Sequence, residues 1–272
     1  MGSLGKFGLA ILADVLLCAA SAQAAGTTLG GQPVRPGETL DYQFAVEPYF
    51  QEYASAGGNP RPDRGHALLM FPRGFTPTRP WPILVVTSTT DAHRTSPEDA
   101  WWYRQPANAE GWLVIATDAT IHPTQDSTMW RMGLLGAALQ SIRHEWPQST
   151  QWPMAFGGLS GGAKRSGILA AMLAKSGTIN LCGIFLAGDN DDRISPAFHD
   201  YSPPSSFLRV PIWLSNGLSD PIATPALTEH VRASLVSHGF TNVRVEPFDG
   251  RHELKAAELQ RALRWFRQVG KF

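Results

Sequence analysis

Short apolar runs alternate with longer amphipathic segments along most of the chain. The short runs are rich in β-branched and aromatic residues and almost continuously apolar, as strands covered on both faces are. These predicted strands cover residues 66–72, 82–88, 112–118, 153–158, 181–188, 210–217 and 242–249. The amphipathic segments predict helices within residues 97–107, 127–146, 161–177, 224–239 and 253–269. This alternation predicts an α/β fold with a mostly parallel central sheet and helices on both faces.

The two ends of this pattern differ. Residues 39–72 are less regular and predict an antiparallel pair of strands at one edge of the sheet. Residues 188–209 form the one insertion long enough for a small cap, so we expect no large lid. Reactive groups in such sheets gather at the carboxyl ends of the strands. Functional residues are therefore expected in the loops that follow the strands.

The N-terminus has the features of a secretory signal peptide. Lys6 is followed by an apolar stretch at residues 7–20 and by Ala-Gln-Ala at 22–24, a small-residue cleavage pattern. The stretch is too short to span a bilayer. We expect a signal peptide at 1–24, a catalytic domain at 25–272, no stable membrane insertion, and a secreted or periplasmic location. The alternative is an apolar N-terminal helix that is not cleaved.

Composition narrows the possible partners. The 272 residues are enough for one domain, and the 23 basic side chains equal the 23 acidic ones. Without a basic stripe to neutralise phosphates, no nucleic-acid partner is expected. Cleavage would remove Cys18 and leave Cys182, which lies in an apolar run and is predicted to be a buried, inert thiol.

A cluster of glycines surrounds one serine between two predicted elements. Residues 158–162 read Gly-Leu-Ser-Gly-Gly and match Gly-x-Ser-x-Gly, after a predicted strand and before a predicted helix. In that setting the motif marks a sharp turn that displays the serine, and the flanking glycines remove side chains that would collide. The pattern predicts Ser160 as a nucleophile at the positive end of a helix.

Two other interpretations of this turn exist. One is a glycine-rich strand–helix turn whose serine has no chemical role, because short motifs also arise by chance. The other is a phosphate-binding loop. Residues 157–166 lack the Gly-x-x-x-x-Gly-Lys-Ser/Thr spacing of such loops, which argues against it.

Two later loops contain the partners that a nucleophilic serine requires. A serine hydroxyl needs a base, and the base needs an acceptor that orients it. Asp220 lies in 215–221 (Ser-Asn-Gly-Leu-Ser-Asp-Pro) and His252 in 248–254 (Phe-Asp-Gly-Arg-His-Glu-Leu), each after a predicted strand. The order along the chain is serine, acid, histidine. These positions predict a catalytic triad.

With these segments, the chain resembles the α/β-hydrolase fold, and within it the serine esterases related to polyester depolymerases and to feruloyl and acetyl-xylan esterases. The resemblance extends from about residue 66 to the C-terminus and is strongest in the three motif segments just quoted. It implies that Ser160 is the nucleophile, Asp220 the acid and His252 the base. It also implies a small-molecule or polymeric ester as substrate, with neither a cofactor nor a metal.

One segment departs from the pattern of these enzymes. They often carry His-Gly after the strand that precedes the first major helix, whereas residues 84–91 here read Leu-Val-Val-Thr-Ser-Thr-Thr-Asp. One N–H group of the oxyanion hole is therefore expected from Thr89 or Thr90 and the other from Gly161. The altered loop leaves the substrate class open.

Other polar groups near these loops have simpler interpretations. Asp189, Asp191 and Asp192 could bind a cation or supply the triad acid from an earlier strand. A loop of aspartates is more often a solvated turn, so no metal site is predicted. His93 lies near the predicted oxyanion loop, and we expect no role for it.

Three consecutive aromatic residues, Trp101, Trp102 and Tyr103, follow the same loop. They could form an aromatic wall for an aryl or polymeric substrate, or they could pack a helix against the sheet. Consecutive residues cannot all face one side of a helix, which favours packing.

The sequence thus predicts a serine hydrolase that cleaves carboxylic esters through an acyl-enzyme intermediate. Two alternatives stay open. A serine peptidase of the same fold would carry the same triad, because Ser-Asp-His does not distinguish an amide from an ester. A non-catalytic binding protein on a hydrolase scaffold is the other, although binding would not require all three residues.

Overall fold

The computed structural model describes residues 27–90, 94–125 and 127–272. The predicted signal peptide, Cys18 and His93 lie outside the described residues. Within them the strands are β1 (Thr28–Leu29), β2 (Gln32–Pro33), β3 (Thr39–Ala45), β4 (Arg64–Met70), β5 (Ile83–Thr87), β6 (Leu113–Ala119), β7 (Pro153–Leu159), β8 (Asn180–Ala187), β9 (Ile212–Gly217) and β10 (Val243–Phe248).

Helices connect most of these strands. The α-helices are α1 (Pro48–Ser55), α2 (Ser96–Ala109), α3 (Thr128–Glu145), α4 (Gly161–Ser176), α5 (Ile194–Tyr201), α6 (Pro225–Ser237) and α7 (Ala256–Gly270). Short 3₁₀ helices cover Pro147–Gln151 and Ser205–Arg209. None of the helices in the described part of the chain is long and apolar enough to cross a bilayer.

One large sheet organises the described residues. Its eight strands follow the order β10-β9-β8-β7-β5-β6-β4-β3, and β1 pairs with β2 separately. The pairs formed by β3 with β4 and by β4 with β6 are antiparallel, and the other pairs in the sheet are parallel. The predicted mostly parallel sheet with an antiparallel edge is confirmed.

The sheet separates two apolar cores. Buried side chains of α3 and α4 pack on one face, with Trp130, Leu134 and Leu169 among them. Side chains of α2 and α7 pack on the other face, with Tyr103 and Phe266 among them. Helices thus cover both faces, as predicted, and the central strands β5, β6 and β7 are buried on both sides.

Two helices were not predicted from the pattern. The pattern predicts strands, and no helix, at the start of the antiparallel edge (residues 39–72), but β3 ends at Ala45 and Pro48 begins α1. Pro is well suited to the first turn of a helix. Phe50 of α1 packs so closely on α3 that a side chain at Gly133 or Gly136 would collide with it. Tertiary packing, rather than local periodicity, therefore fixes α1. The other unpredicted helix is α5, in the insertion after β8.

Candidate active site

Ser160 occupies the single residue between β7 and α4, and its backbone is strained. Its φ of 59° and ψ of −122° lie in a region that non-glycine residues rarely adopt. The Ser160 N–H donates to the carbonyl of Ala187, at the end of the adjacent strand β8, over 2.8 Å. The strain is therefore held by the neighbouring strand, and the serine projects at the carboxyl edge of the sheet.

The glycines around Ser160 are required by close backbone contacts. A Cβ atom on Gly158 would overlap the main chain of Gly162, and a Cβ on Gly162 would overlap the carbonyl oxygen of Thr87 in β5. The Thr87 hydroxyl donates to the Gly162 carbonyl over 2.7 Å. The predicted role of the flanking glycines is confirmed, and the start of α4 is fastened to β5.

Asp220 and His252 meet beyond the ends of β9 and β10. The imidazole Nδ1 lies 2.8 Å from Asp220 Oδ2. The other carboxylate oxygen accepts the N–H groups of Ile222 and Ala223, each over 2.8 Å. Burial by itself would raise the pKa of the Asp220 carboxyl, but these three hydrogen bonds outweigh it and bring the pKa below its ordinary value.

The loops that carry these two residues are joined by backbone hydrogen bonds. The Leu218 N–H donates to the Phe248 carbonyl over 2.8 Å, and the Ser219 N–H to the Gly250 carbonyl over 3.0 Å. A side chain at Gly217 would collide with the main chain of Gly250. The separation of Asp220 and His252 is thus set by backbone contacts.

Gly188 leaves room for the His252 ring beside the end of β8, to which the Ser160 N–H is bonded. A Cβ on Gly188 would lie 2.8 Å from His252 Cε1 and 3.2 Å from Leu159 Cδ1, so the imidazole lies directly over Gly188. Gly188 follows Ala187, the acceptor of the Ser160 N–H. The hydrogen bonds within the described residues do not include one between Ser160 and His252. Such bonds are often loose without substrate and tighten in the reacting complex.

The loop after β5 lies against the first residue of α4. A Cβ on Gly161 would lie 2.9 Å from Thr89 Cγ2 and 3.3 Å from Thr89 Cα. Thr90 is farther along, where its carbonyl accepts the Arg94 N–H over 3.2 Å. Of the two candidate oxyanion residues, Thr89 is therefore the one in contact with Gly161. The Gly161 N–H is among the first of its helix, which have no acceptor within the helix.

Asp189, the first of the aspartates after β8, is not solvated, which corrects the sequence-based expectation for that residue. Asp189 is buried, with 2% of its surface exposed. Burial raises its pKa to about 7, against the weaker effects of the Asp191 N–H and the Lys164 charge. Asp192 caps α5 through the N–H groups of Ile194 and Ser195 over 3.0 and 2.9 Å. Asp191 stays half-exposed beside Arg193, and no three His, Cys, Asp or Glu side chains in the described ranges are arranged to hold a metal ion.

The three consecutive aromatics divide between core and surface. Tyr103 is fully buried, as packing predicted, whereas Trp101 and Trp102 are 50% and 41% exposed. The Arg94 guanidinium lies over the Trp102 ring, 3.9 Å from its centroid. Packing against the sheet is therefore the wrong interpretation for the two tryptophans, because their helix positions face away from it.

Sequence reasoning did not identify Gly188 as part of this region, nor the buried Arg131, whose guanidinium donates to the hydroxyl of Ser88, the residue before Thr89. The only signal for Gly188 is its position as the last residue of the predicted strand 181–188. Nothing in the sequence distinguishes Arg131 from the other arginines, since its burial depends on the tertiary fold.

Neither protein-family models nor curated proteins match this sequence. Solved structures do match. A bacterial heroin esterase has a TM-score of 0.57 and 16% identity over 86% of both chains. An α/β serine hydrolase without a lid, XC6422 from Xanthomonas campestris, has a TM-score of 0.56 and 16% identity over 87% of this chain and 97% of that one.

A third similar structure is EstE1, a thermophilic carboxylesterase cloned from a metagenomic library. It has a TM-score of 0.57 and 14% identity over 86% of this chain and 90% of its own. With the strand order described above, these likenesses show that the chain has the α/β-hydrolase fold. In the described ranges the insertion after β8 forms α5 and a short 3₁₀ helix and no large lid. At such low identity the fold is shared, and activity has to be argued from the site.

Proposed function

We propose that this protein is a serine hydrolase that cleaves carboxylic esters through an acyl-enzyme intermediate. The observation that carries the proposal is a serine in a strained elbow bonded to the end of β8, where the next residue, Gly188, lies against a histidine bonded to a buried carboxylate. A turn without a chemical role would not require these three side chains to converge from separate loops.

In the proposed reaction, Ser160 Oγ attacks the ester carbonyl and His252 Nε2 takes its proton. An ionised Asp220 can only accept a hydrogen bond, so Nδ1 of the imidazole is its donor and Nε2 is left as the base. The lowered pKa of Asp220 favours that ionised state. The carboxylate also stabilises the imidazolium that forms when the proton is transferred.

The N–H groups of Gly161 and Thr89 are the proposed oxyanion donors. They belong to backbone segments in contact, and the positive end of α4 lies beneath the reacting carbonyl. His252 then returns its proton to the leaving alcohol. Water attacks the acyl-enzyme, again with His252 as base, and releases Ser160.

The substrate we propose is a small-molecule or polymeric ester, and the proposed location is secreted or periplasmic. The neighbours in structure include a heroin esterase and a carboxylesterase, which favours an ester over a peptide bond. The apolar N-terminal stretch and its Ala-Gln-Ala sequence favour export. The absence of a large lid from the described residues favours an open site.

The test is Ser160→Ala, assayed against acetyl, butyryl, feruloyl and polyester substrates and with a fluorophosphonate probe. Turnover should fall on the order of 10⁴-fold or more, because the triad acts as a unit. The matched control is Ser176→Ala, at the far end of the same helix. Folded Ser160→Ala protein with near-normal turnover would contradict the proposal. Faster cleavage of peptides than of esters by the wild type would favour the peptidase.

A further inference from the structure

A buried arginine lies behind the loop that supplies one proposed oxyanion donor. Arg131 of α3 is only 3% exposed. Burying a guanidinium costs several kcal/mol unless hydrogen bonds and charges compensate it, so arginine is rarely found fully inside a protein. Its Nη2 donates to Ser88 Oγ over 3.3 Å. Ser88 immediately precedes Thr89.

Ser88 is held from a second side as well. It is completely buried, and its N–H donates to the Ser96 hydroxyl at the start of α2 over 3.1 Å. The residue before Thr89 is therefore fixed between α2 and α3. A shift of Ser88 would rotate the following peptide, which contains the Thr89 N–H.

Thr89 is fastened to the nucleophile elbow on its other side. Its hydroxyl donates to the Leu159 carbonyl over 3.1 Å. Its own carbonyl accepts from Arg165 Nε over 3.5 Å, and Nη1 of the same guanidinium donates to the Thr128 hydroxyl over 3.3 Å. Side chains from three helices thus hold residues 88 and 89, in a loop that lacks the His-Gly pair of similar enzymes.

We infer that Arg131 is a positioning residue whose hydrogen bond to Ser88 sets the orientation of the Thr89 N–H toward the oxyanion. The inference rests on the proposed ester hydrolysis. Arg131 is separated from the proposed reacting atoms by Ser88 and acts through the loop. Arg131 reaches Ser88 through Nη2 of its planar guanidinium, and a lysine ammonium cannot reproduce that geometry although it keeps the charge.

The experiment uses Arg131→Lys, Ser88→Ala and the double variant in the full-length protein. Arg143→Lys is the matched control, since Arg143 lies on the same helix and its guanidinium also donates a hydrogen bond, to the Thr178 carbonyl over 2.7 Å. Turnover is measured per active site, with sites counted by fluorophosphonate labelling, and KM and the pH profile are measured with it. A variant that only unfolds more easily loses labelled sites but keeps the turnover of each remaining site.

Both single variants should lower kcat per labelled site about tenfold, because small misplacements of a catalytic group have large effects on rate. KM and the pH profile should change little, since substrate contacts and His252 are untouched. The double variant should lose much less than the product of the single losses, because both changes break one interaction. Arg143→Lys should behave like wild type.

Wild-type kcat per site in both single variants would overturn the inference. If Arg131→Lys does not fold, kcat per labelled site in Ser88→Ala still tests the inference, because that variant removes the hydrogen bond and leaves the guanidinium in place. Failure of the proposed function would be seen separately, as a wild type that neither hydrolyses esters nor labels at Ser160, and it would overturn this inference too.

Discussion

The loops after β8 and β9 start from adjacent parallel strands, and each contains a buried aspartate. The pKa values of the two carboxyls shift in opposite directions. Asp189 and Asp220 are 2% and 3% exposed. The pKa of Asp189 is raised to about 7 by burial, whereas that of Asp220 is lowered. Both carboxylates are covered, but Asp189 lies deeper in the protein and Asp220 has more hydrogen-bond donors, so depth of burial and donors together decide the direction.

The geometry explains the contrast. Asp220 accepts three hydrogen bonds of 2.8 Å, one of them from His252. Asp189 accepts the Asp191 N–H over a longer 3.3 Å. The loop after β8 contributes differently, through Gly188, on whose open face the imidazole lies. One loop thus provides an ionised partner for His252, and the other provides the space for its ring.

The largest expected effect separates the two carboxylates. Asp220→Asn should lower kcat about 10⁴-fold, because an amide no longer holds the imidazole in the required tautomer. Asp189→Asn should cost far less, since Asp220 is the carboxylate bonded to His252. Steady-state hydrolysis by both variants at one pH measures the difference. The opposite ranking would assign the acid to the loop after β8.

Gly188→Ala should produce a smaller but still large loss of activity. The new Cβ would lie 2.8 Å from His252 Cε1 and push the ring off its position. A displacement of this kind should lower kcat about 100-fold. The alanine must also adopt a φ of 55°, which destabilises the fold by about 1–2 kcal/mol.

Gly177→Ala is the control for that backbone cost. Gly177 ends α4 with a φ of 66°, and a Cβ there would meet nothing within 4 Å. Thermal unfolding should show similar destabilisation of both variants, with activity lost in Gly188→Ala alone. Equal activity in the two variants would mean that Gly188 does not set the position of His252.

The smallest expected effect is on the pH dependence of stability. The folded pKa of Asp189 lies above its unfolded value, so between about pH 4 and 7 the folded state keeps a proton that the unfolded chain has lost. The contribution of Asp189 to the free energy of unfolding is complete below pH 4 and is lost as pH rises through 7. Asp189→Asn should remove that decline in urea titrations.

Asp220 should have the opposite sign. Its folded pKa is lowered, so its contribution is present above the unfolded pKa and is lost as the pH falls through the folded one. Asp220→Asn should therefore flatten the acidic side of the stability profile. If the free energy of unfolding depended on pH in the same way in Asp189→Asn and Asp220→Asn, the opposite pKa shifts of the two aspartates would be contradicted.

The sequence predicted the parts of the site that follow strands, because strand ends can be read from apolar runs and glycine turns. Ser160, Asp220 and His252 were placed in three such loops, and the structure brings these loops to one edge of the sheet. Their catalytic roles stay a prediction, as do the signal peptide and the relation to polyester depolymerases.

What the sequence did not predict depends on contacts between distant segments. The burial of Asp189 and Arg131 follows from helices that close over them, and no local pattern encodes it. Trp101 and Trp102 were expected to pack, yet they face solvent on α2. Only the tertiary fold determines which side of a helix is covered.

The most direct test of the triad is the rate at which a fluorophosphonate labels Ser160, measured against pH in the wild type and in His252→Gln. Labelling requires His252 to be neutral, because a protonated imidazole cannot accept the serine proton. The wild-type rate should fall on acidification in parallel with acylation by an ester, and His252→Gln should label far more slowly at neutral pH. Labelling of the variant as fast as the wild type at neutral pH would show that His252 is not the base and would contradict the triad.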